Sequence, residues 1–190
     1  MGLGWDKGFT TTGTCDLYND KAVRASRALT ILWQFKVIPR RELLKVLVEN
    51  GFTPIAADML PRNSTKLNTT TLHSLEDICS LCQQQQSLEN AAQISEKSNS
   101  GAEGGLIFHN FQQNNTRGAS LSHLLEKKKI ALILSDEHHG LSANSLLDNV
   151  IKVSIPMDPR VESLNVAAAG SIIMSQLSAK FPFLSLKKST

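Results

Sequence analysis

The chain has 190 residues, 41% of them hydrophobic, which suits one domain of ordinary size with a true core and argues against two. A formal charge of +3 and a pI near 8.8 fit a polyanionic partner but fall short of the basic footprint that marks one by itself. Cys15, Cys79 and Cys82 form an odd set with no signal segment, and no apolar run nears the roughly 20 residues of a membrane span, so a soluble intracellular protein with reduced thiols is expected.

From Lys7 to about Asp58, short extended and helical stretches alternate as they do in βα units. Phe9 to Thr12 reads as a short polar strand ending at Gly13. Asn19 or Asp20 caps a helix in which Ala22, Val23, Ser26 and Leu29 to Ile31 recur at helical spacing. A second helix over Arg40 to Asn50 puts Leu43, Leu44, Leu47 and Val48 on one face, and Gly51 stops it. Phe52 to Ala57 is the next strand. Between about Pro61 and Ser120 the burial pattern is lost in Gln, Ser, Asn and Gly tracts, which predicts a mobile insertion. Within it, Leu72 to Leu81 reads as a short helix and Leu106 to Phe108 as a brief return to the body. Ile130 to Leu134, an unbroken apolar run, fits a strand buried on both faces of a parallel sheet. Ser142 caps a short helix through Leu147, and Val150 to Ile155 alternates like another strand, ending at Pro156. Ser163 then opens a long helix over Leu164 to about Ala179, in which Ala167 to Gly170 permit close packing. The order predicts an α/β domain with a largely parallel sheet, organised as an N-terminal part (1–60), the insertion (61–120) and a C-terminal part (121–190).

Three segments carry chemistry. Leu132-Ile133-Leu134-Ser135-Asp136-Glu137-His138-His139-Gly140-Leu141-Ser142 leaves a buried strand through a polar loop into a capped helix. Ile155-Pro156-Met157 follows a second strand, and Ser163-Leu164-Asn165-Val166 stands at a helix start. Ligands of open α/β sheets sit outside the carboxyl ends of the strands, so these loops are expected to converge on one binding place.

In order and spacing, the three segments resemble motifs two and three of the SpoU (TrmH-like) family of RNA methyltransferases in the SPOUT superfamily. Cys15 to Ser26, with Lys21, Arg24, Ala25 and Ser26, is similar to the segment joining that family's first motif to its core. The likeness covers about Gly4 to Asp58 and Lys128 to Ala179. It implies a parallel sheet with helices on both faces and a deep trefoil knot near the C-terminus. It also implies S-adenosylmethionine as cofactor, a ribosomal or transfer RNA substrate methylated at a ribose 2′-hydroxyl, a homodimer, and no metal or membrane. Carried onto this chain, Leu134, Ser135, Gly140, Ile155 and Leu164 would contact the cofactor. Glu137, Ser163 and Asn165 would stand beside the acceptor, and Arg24 would meet RNA phosphate.

The chain departs from the family pattern in three places. The first motif, with its acceptor-side arginine, is expected upstream of Leu3-Gly4-Trp5-Asp6, so this polypeptide alone is expected to be a poor catalyst. The alternative is a non-catalytic knotted homologue or partner subunit that binds RNA or cofactor. Ser135-Asp136-Glu137 stands where the family has Gly-Asn-Glu, and Ala28 occupies a position commonly filled by glycine. Simpler roles compete for each residue: a solvated loop carboxylate for Glu137, a helix cap for Ser163, a surface helix arginine for Arg24. Adjacent His138 and His139 point different ways, and Cys79-x-x-Cys82 with His73 lacks a second pair, so neither forms a metal site. A generic nucleotide-binding domain would need a glycine loop after a strand, and none is present.

Overall fold

The structure, a computed structural model, describes residues 5, 7–59, 73–80, 105–109, 129–135, 150–158, 160–161 and 163–181. Strand β1 (Lys7–Thr11) pairs in parallel with β2 (Gln34–Ile38), from Lys7 opposite Gln34 to Thr11 opposite Ile38. A parallel pair needs a crossover, here supplied by helices α1 (Asp20–Ala25) and α2 (Leu29–Leu32). Asn19 caps α1, its Oδ1 accepting from the Ala22 N–H at 2.9 Å. The single helix expected to continue to Ile31 instead breaks. Arg27 and Ala28 take φ of 52° and 66°, while the N–H groups of Arg27 and Ala28 bond the carbonyls of Arg24 and Val23 at 3.1 and 2.8 Å. This is a Schellman ending, built with two side-chain-bearing residues in the left-handed region that glycine fills without strain. Strand β2 was not expected. Its signal is the alternation of Gln34 and Lys36 with Phe35 and Val37, and Phe35 rests on the rings of Trp33 and Tyr18 at 6.1 and 5.6 Å.

A 3-10 turn (Arg40–Glu42) leads into α3 (Leu43–Glu49), and Gly51 at φ 76° ends it as expected. Leu47 is buried, whereas Val48 is 61% exposed. The buried stripe therefore follows Leu43, Leu44 and Leu47, and Val48 falls outside it because the next residue lies about 100° around the axis.

The main sheet has five strands in the order β4 (His73–Ser74), β5 (Ile107–His109), β7 (Ile151–Ser154), β3 (Phe52–Ala57) and β6 (Lys129–Ile133). Strand β3 lies between β6 and β7, parallel to both. The sheet is mixed, which corrects the expectation of a largely parallel one. β5 runs antiparallel to β7, with Phe108 opposite Val153, and β4 runs antiparallel to β5. Both small strands come from the 61–120 segment. Ser74 opens a helical stretch at 75–80 through a reciprocal cap with Asp77, each side chain accepting the other's backbone N–H at 3.0 Å. Leu75, Ile78, Leu106 and Phe108 are all buried. The expected short helix and brief return are thus parts of the body, and the tracts between them lie outside the described residues.

Helix α4 (Val166–Lys180) closes the described body. Alternation along each strand sorts side chains to two faces. Ile55, Ile130, Ile151, Val153 and Phe108 meet Ile173 and Leu177 of α4 and Phe181 just after it, together with Leu75 and Ile78. Ala56, Ile133 and Val150 meet Leu47 of α3 on the other face. Each large aliphatic side chain removed from water in this way contributes about 1.5–3 kcal/mol. The N-terminal edge is tied on by the Trp5 Nε1–H, which donates to Ser178 Oγ at 3.1 Å.

Ala28→Gly is expected to be neutral or stabilising by up to about 1 kcal/mol, because relief of left-handed strain outweighs the added freedom of the unfolded chain. The same exchange at exposed Ala168 in α4 should cost about 0.5–1 kcal/mol. Thermal melts of the two variants check the contrast, and an equal loss at both sites would refute it.

Candidate functional site

The C-terminal ends of the three parallel strands emerge side by side. Leu134 and Ser135 follow β6, Asp58 and Met59 follow β3, and Ile155 and Met157 follow β7. With Ser163, Leu164, Val166 and Ala169 from the start of α4, they line one cavity of about 160 Å³. A second cavity, of about 570 Å³, lies between the β1–β2 layer and the main sheet, with Phe9, Trp33, Leu47, Phe52 and Leu132 among its walls. It is the larger, but only the smaller one sits where parallel strands deliver loops, polar main chain and a helix N-terminus to the same place. Leu134, 40% exposed, borders both.

Five of the residues singled out by sequence thus share this cavity: Leu134, Ser135, Ile155, Ser163 and Leu164. Glu137 and Gly140 lie outside the described residues. Asn165 stands at the rim as the cap of α4, its Oδ1 accepting from the N–H groups of Ala167 at 2.9 Å and Ala168 at 3.4 Å. The cap therefore belongs to Asn165, and the expected capping role of Ser163 is corrected. The helix begins two residues later than expected because Asn165, with ψ of 134°, is its cap. Ala167 and Ala168 are exposed and Ala169 is half-buried, so the closest approach comes at Gly170, where a Cβ would come 2.9 Å from Leu134 Cδ1. Arg24 is not brought to the cavity. Its guanidinium folds back on Asp20 at 2.7 Å, with both side chains 75% exposed, a pairing worth well under 1 kcal/mol.

Among the described residues, no group of three or more His, Cys, Asp or Glu stands close enough to hold a metal ion, and no helix is long and apolar enough to cross a membrane.

The model of the SpoU rRNA methylase family matches residues 2–175 of the chain. The chain belongs to the SpoU rRNA methylase family. No curated protein matches it. As a SpoU methylase, it is placed among RNA methyltransferases.

Behind the cavity lies a polar network that sequence reasoning missed. Lys152 Nζ stands 2.8 Å from Asp58 Oδ2, with the two side chains only 16% and 22% exposed. Ser154 Oγ–H donates to the Asp58 carbonyl at 2.7 Å, which leaves that Oγ to accept from His109 Nε2–H at 2.8 Å. His109 and Ser154 are buried. Burial, the largest influence, pulls His109 below its ordinary value of 6.5, while the Asp58 carboxylate pushes it up and the Lys152 ammonium pushes it down. The only sequence clue was an aspartate directly after a strand, since its partners are brought in by sheet register.

A histidine held neutral in the folded state binds fewer protons than it does unfolded. Stability is therefore complete above the ordinary value and is lost as pH falls below it. His73, also lowered chiefly by burial and opposed by Asp77, acts in the same direction. In His109→Gln, which keeps an N–H for Ser154, the melting temperature should fall less between pH 7.5 and 5 than in the parent chain. Parallel curves for the two would show that His109 takes no part.

Proposed function

We propose that this SpoU methylase transfers a methyl group from S-adenosylmethionine to a ribose 2′-hydroxyl of ribosomal or transfer RNA. The observation that carries this reading is the meeting of Leu134, Ser135, Ile155 and Leu164, from three separate loops, on one cavity at the ends of parallel strands. The walls fit a nucleoside-bearing donor: Leu134, Ile155, Met157 and Leu164 offer apolar surface for a flat base, and strand-end main chain offers groups for its edges. When bound, the sulfonium supplies a methyl group that needs no further electrophilic activation.

The protein's task is then positioning. The apolar walls exclude water, and the acceptor must be held in line at roughly 3 Å, which is where most of the rate is gained. In this reading Gly140 adds a main-chain contact to the donor, and Glu137 takes the hydroxyl proton. Ser163 lies on the cavity wall, where its hydroxyl serves as a donor or acceptor for the ribose. Asn165 spends its Oδ1 on the helix cap, so its amide N–H groups are what it offers an RNA oxygen. Arg24 gives up little when it leaves Asp20 for a phosphate. The 2′-hydroxyl is both acceptor and the mark that separates RNA from DNA. The same reading carries a trefoil knot within 121–190, an N-terminal part at 1–60, an insertion at 61–120 and a homodimer.

Binding of S-adenosylhomocysteine, followed by calorimetry, and transfer of labelled methyl groups from S-adenosylmethionine to bulk RNA test it. Label is expected in alkali-resistant dinucleotides, because a methylated 2′-oxygen cannot attack the neighbouring phosphodiester. Label confined to methylated bases would overturn the ribose assignment. Binding without transfer would favour a non-catalytic module.

A further inference from the structure

Asp58 is held more firmly than a solvated strand-end carboxylate needs to be. Its N–H donates to the Val153 carbonyl at 3.0 Å, its carbonyl accepts from Ser154, Oδ1 accepts the Met59 N–H at 2.8 Å, and Oδ2 meets Lys152 at 2.8 Å. It is also the one charged side chain among the described residues lining the strand-end cavity. A carboxylate offers about four acceptor sites, of which the protein engages two, so capacity remains for hydrogen bonds from a ligand.

The kind of donor follows from the neighbours. Lys152 already stands on this carboxylate, and a second cation brought to it would be repelled by the ammonium, so a neutral donor is favoured. Two adjacent hydroxyls can address one carboxylate together, whereas the two N–H bonds of an aromatic amine diverge in the plane of the ring. We propose that Asp58 binds the vicinal ribose hydroxyls of the methyl donor's nucleoside, with Lys152 holding the carboxylate in place. This rests on the donor assignment made above. It parallels the acidic residue that binds ribose hydroxyl in other open α/β sheets, reached here from the central strand.

The test is calorimetry on the full chain with S-adenosylhomocysteine and its 2′-deoxy, 3′-deoxy and 2′,3′-dideoxy ribose analogues. Loss of both hydroxyls should weaken binding about tenfold or more, the scale of a lost charge-assisted hydrogen bond. With Asp58→Asn, the parent ligand should weaken by a similar factor and the penalty for removing the hydroxyls should largely vanish. Equal binding of parent and dideoxy ligands by the unaltered chain would overturn the proposal, and that comparison needs no variant to fold. So would an Asp58→Asn variant that loses the same factor on both ligands, because that is a structural effect. If the unaltered chain binds none of the four compounds, the donor assignment falls and this proposal falls with it.

Discussion

Strand β3 is the member on which the rest of the described fold depends. It is hydrogen-bonded in parallel on both sides, to β6 from Phe52 opposite Lys129 to Ala56 opposite Ile133, and to β7 from Ile55 opposite Ile151 to Ala57 opposite Val153. Parallel strands in fixed register must end on the same edge of the sheet. The residues that follow Ala57, Ile133 and Ser154 are therefore neighbours in space although they are far apart in the chain. A slip of one residue in either ladder would turn Ile55 and Ala56 to the wrong faces and separate the two cores, so the hydrophobic pattern and the site geometry are specified by the same constraint.

How much of this was legible depends on how local each signal is. The run at Ile130 to Leu134 and the alternation over Val150 to Ile155 marked β6 and β7, because burial on one or both faces leaves a pattern within a few residues. The long C-terminal helix was legible for the same reason, and its start was misjudged because two good caps, Ser163 and Asn165, lie two residues apart. The break after Ser26 was hidden. Neither Arg27 nor Ala28 is a glycine, and the turn shows itself in their positive φ and in the hydrogen bonds to Arg24 and Val23. Antiparallel addition of β5 and β4 was equally invisible, since three residues such as Ile107 to His109 hold too little periodicity to declare a partner. The cavity residues came from motif resemblance. Asp58, Lys152, Ser154 and His109 did not, because their network exists only through the register of three strands.

The start of α4 shows how one short segment serves support and site together. Asn165 satisfies two of the helix's unpaired N–H groups, which fixes the direction of α4 at its first turn. Ile173 and Leu177 then anchor that direction against Ile55 and Val153. Gly170 lets the helix approach so closely that Leu134, the first residue beyond β6, packs against its backbone. The position of Leu134 thus depends on a helix some thirty residues later in the chain, and Leu134 and Leu164 meet in one wall because the same helix stands beside both.

Behind this wall the polar groups of β5, β7 and the end of β3 are joined in one network. Left alone, Ser154, His109 and the Asp58 carbonyl would each lose hydration on burial, at about 1–3 kcal/mol apiece. Joined in one chain they satisfy one another, and each link constrains the next. Joining them requires His109 to carry a proton on Nε2 and Ser154 to point its proton toward the Asp58 carbonyl, so the direction of each hydrogen bond is fixed. The strand end the network grips is the one that carries Asp58 into the cavity. Apolar replacement of Ser154 and His109 would remove their desolvation cost but also the hydrogen bonds that tie the Asp58 carbonyl, just beyond β3, to β7 and through it to β5. What the network contributes is therefore mainly a fixed position for the Asp58 carboxylate beside the strand-end cavity.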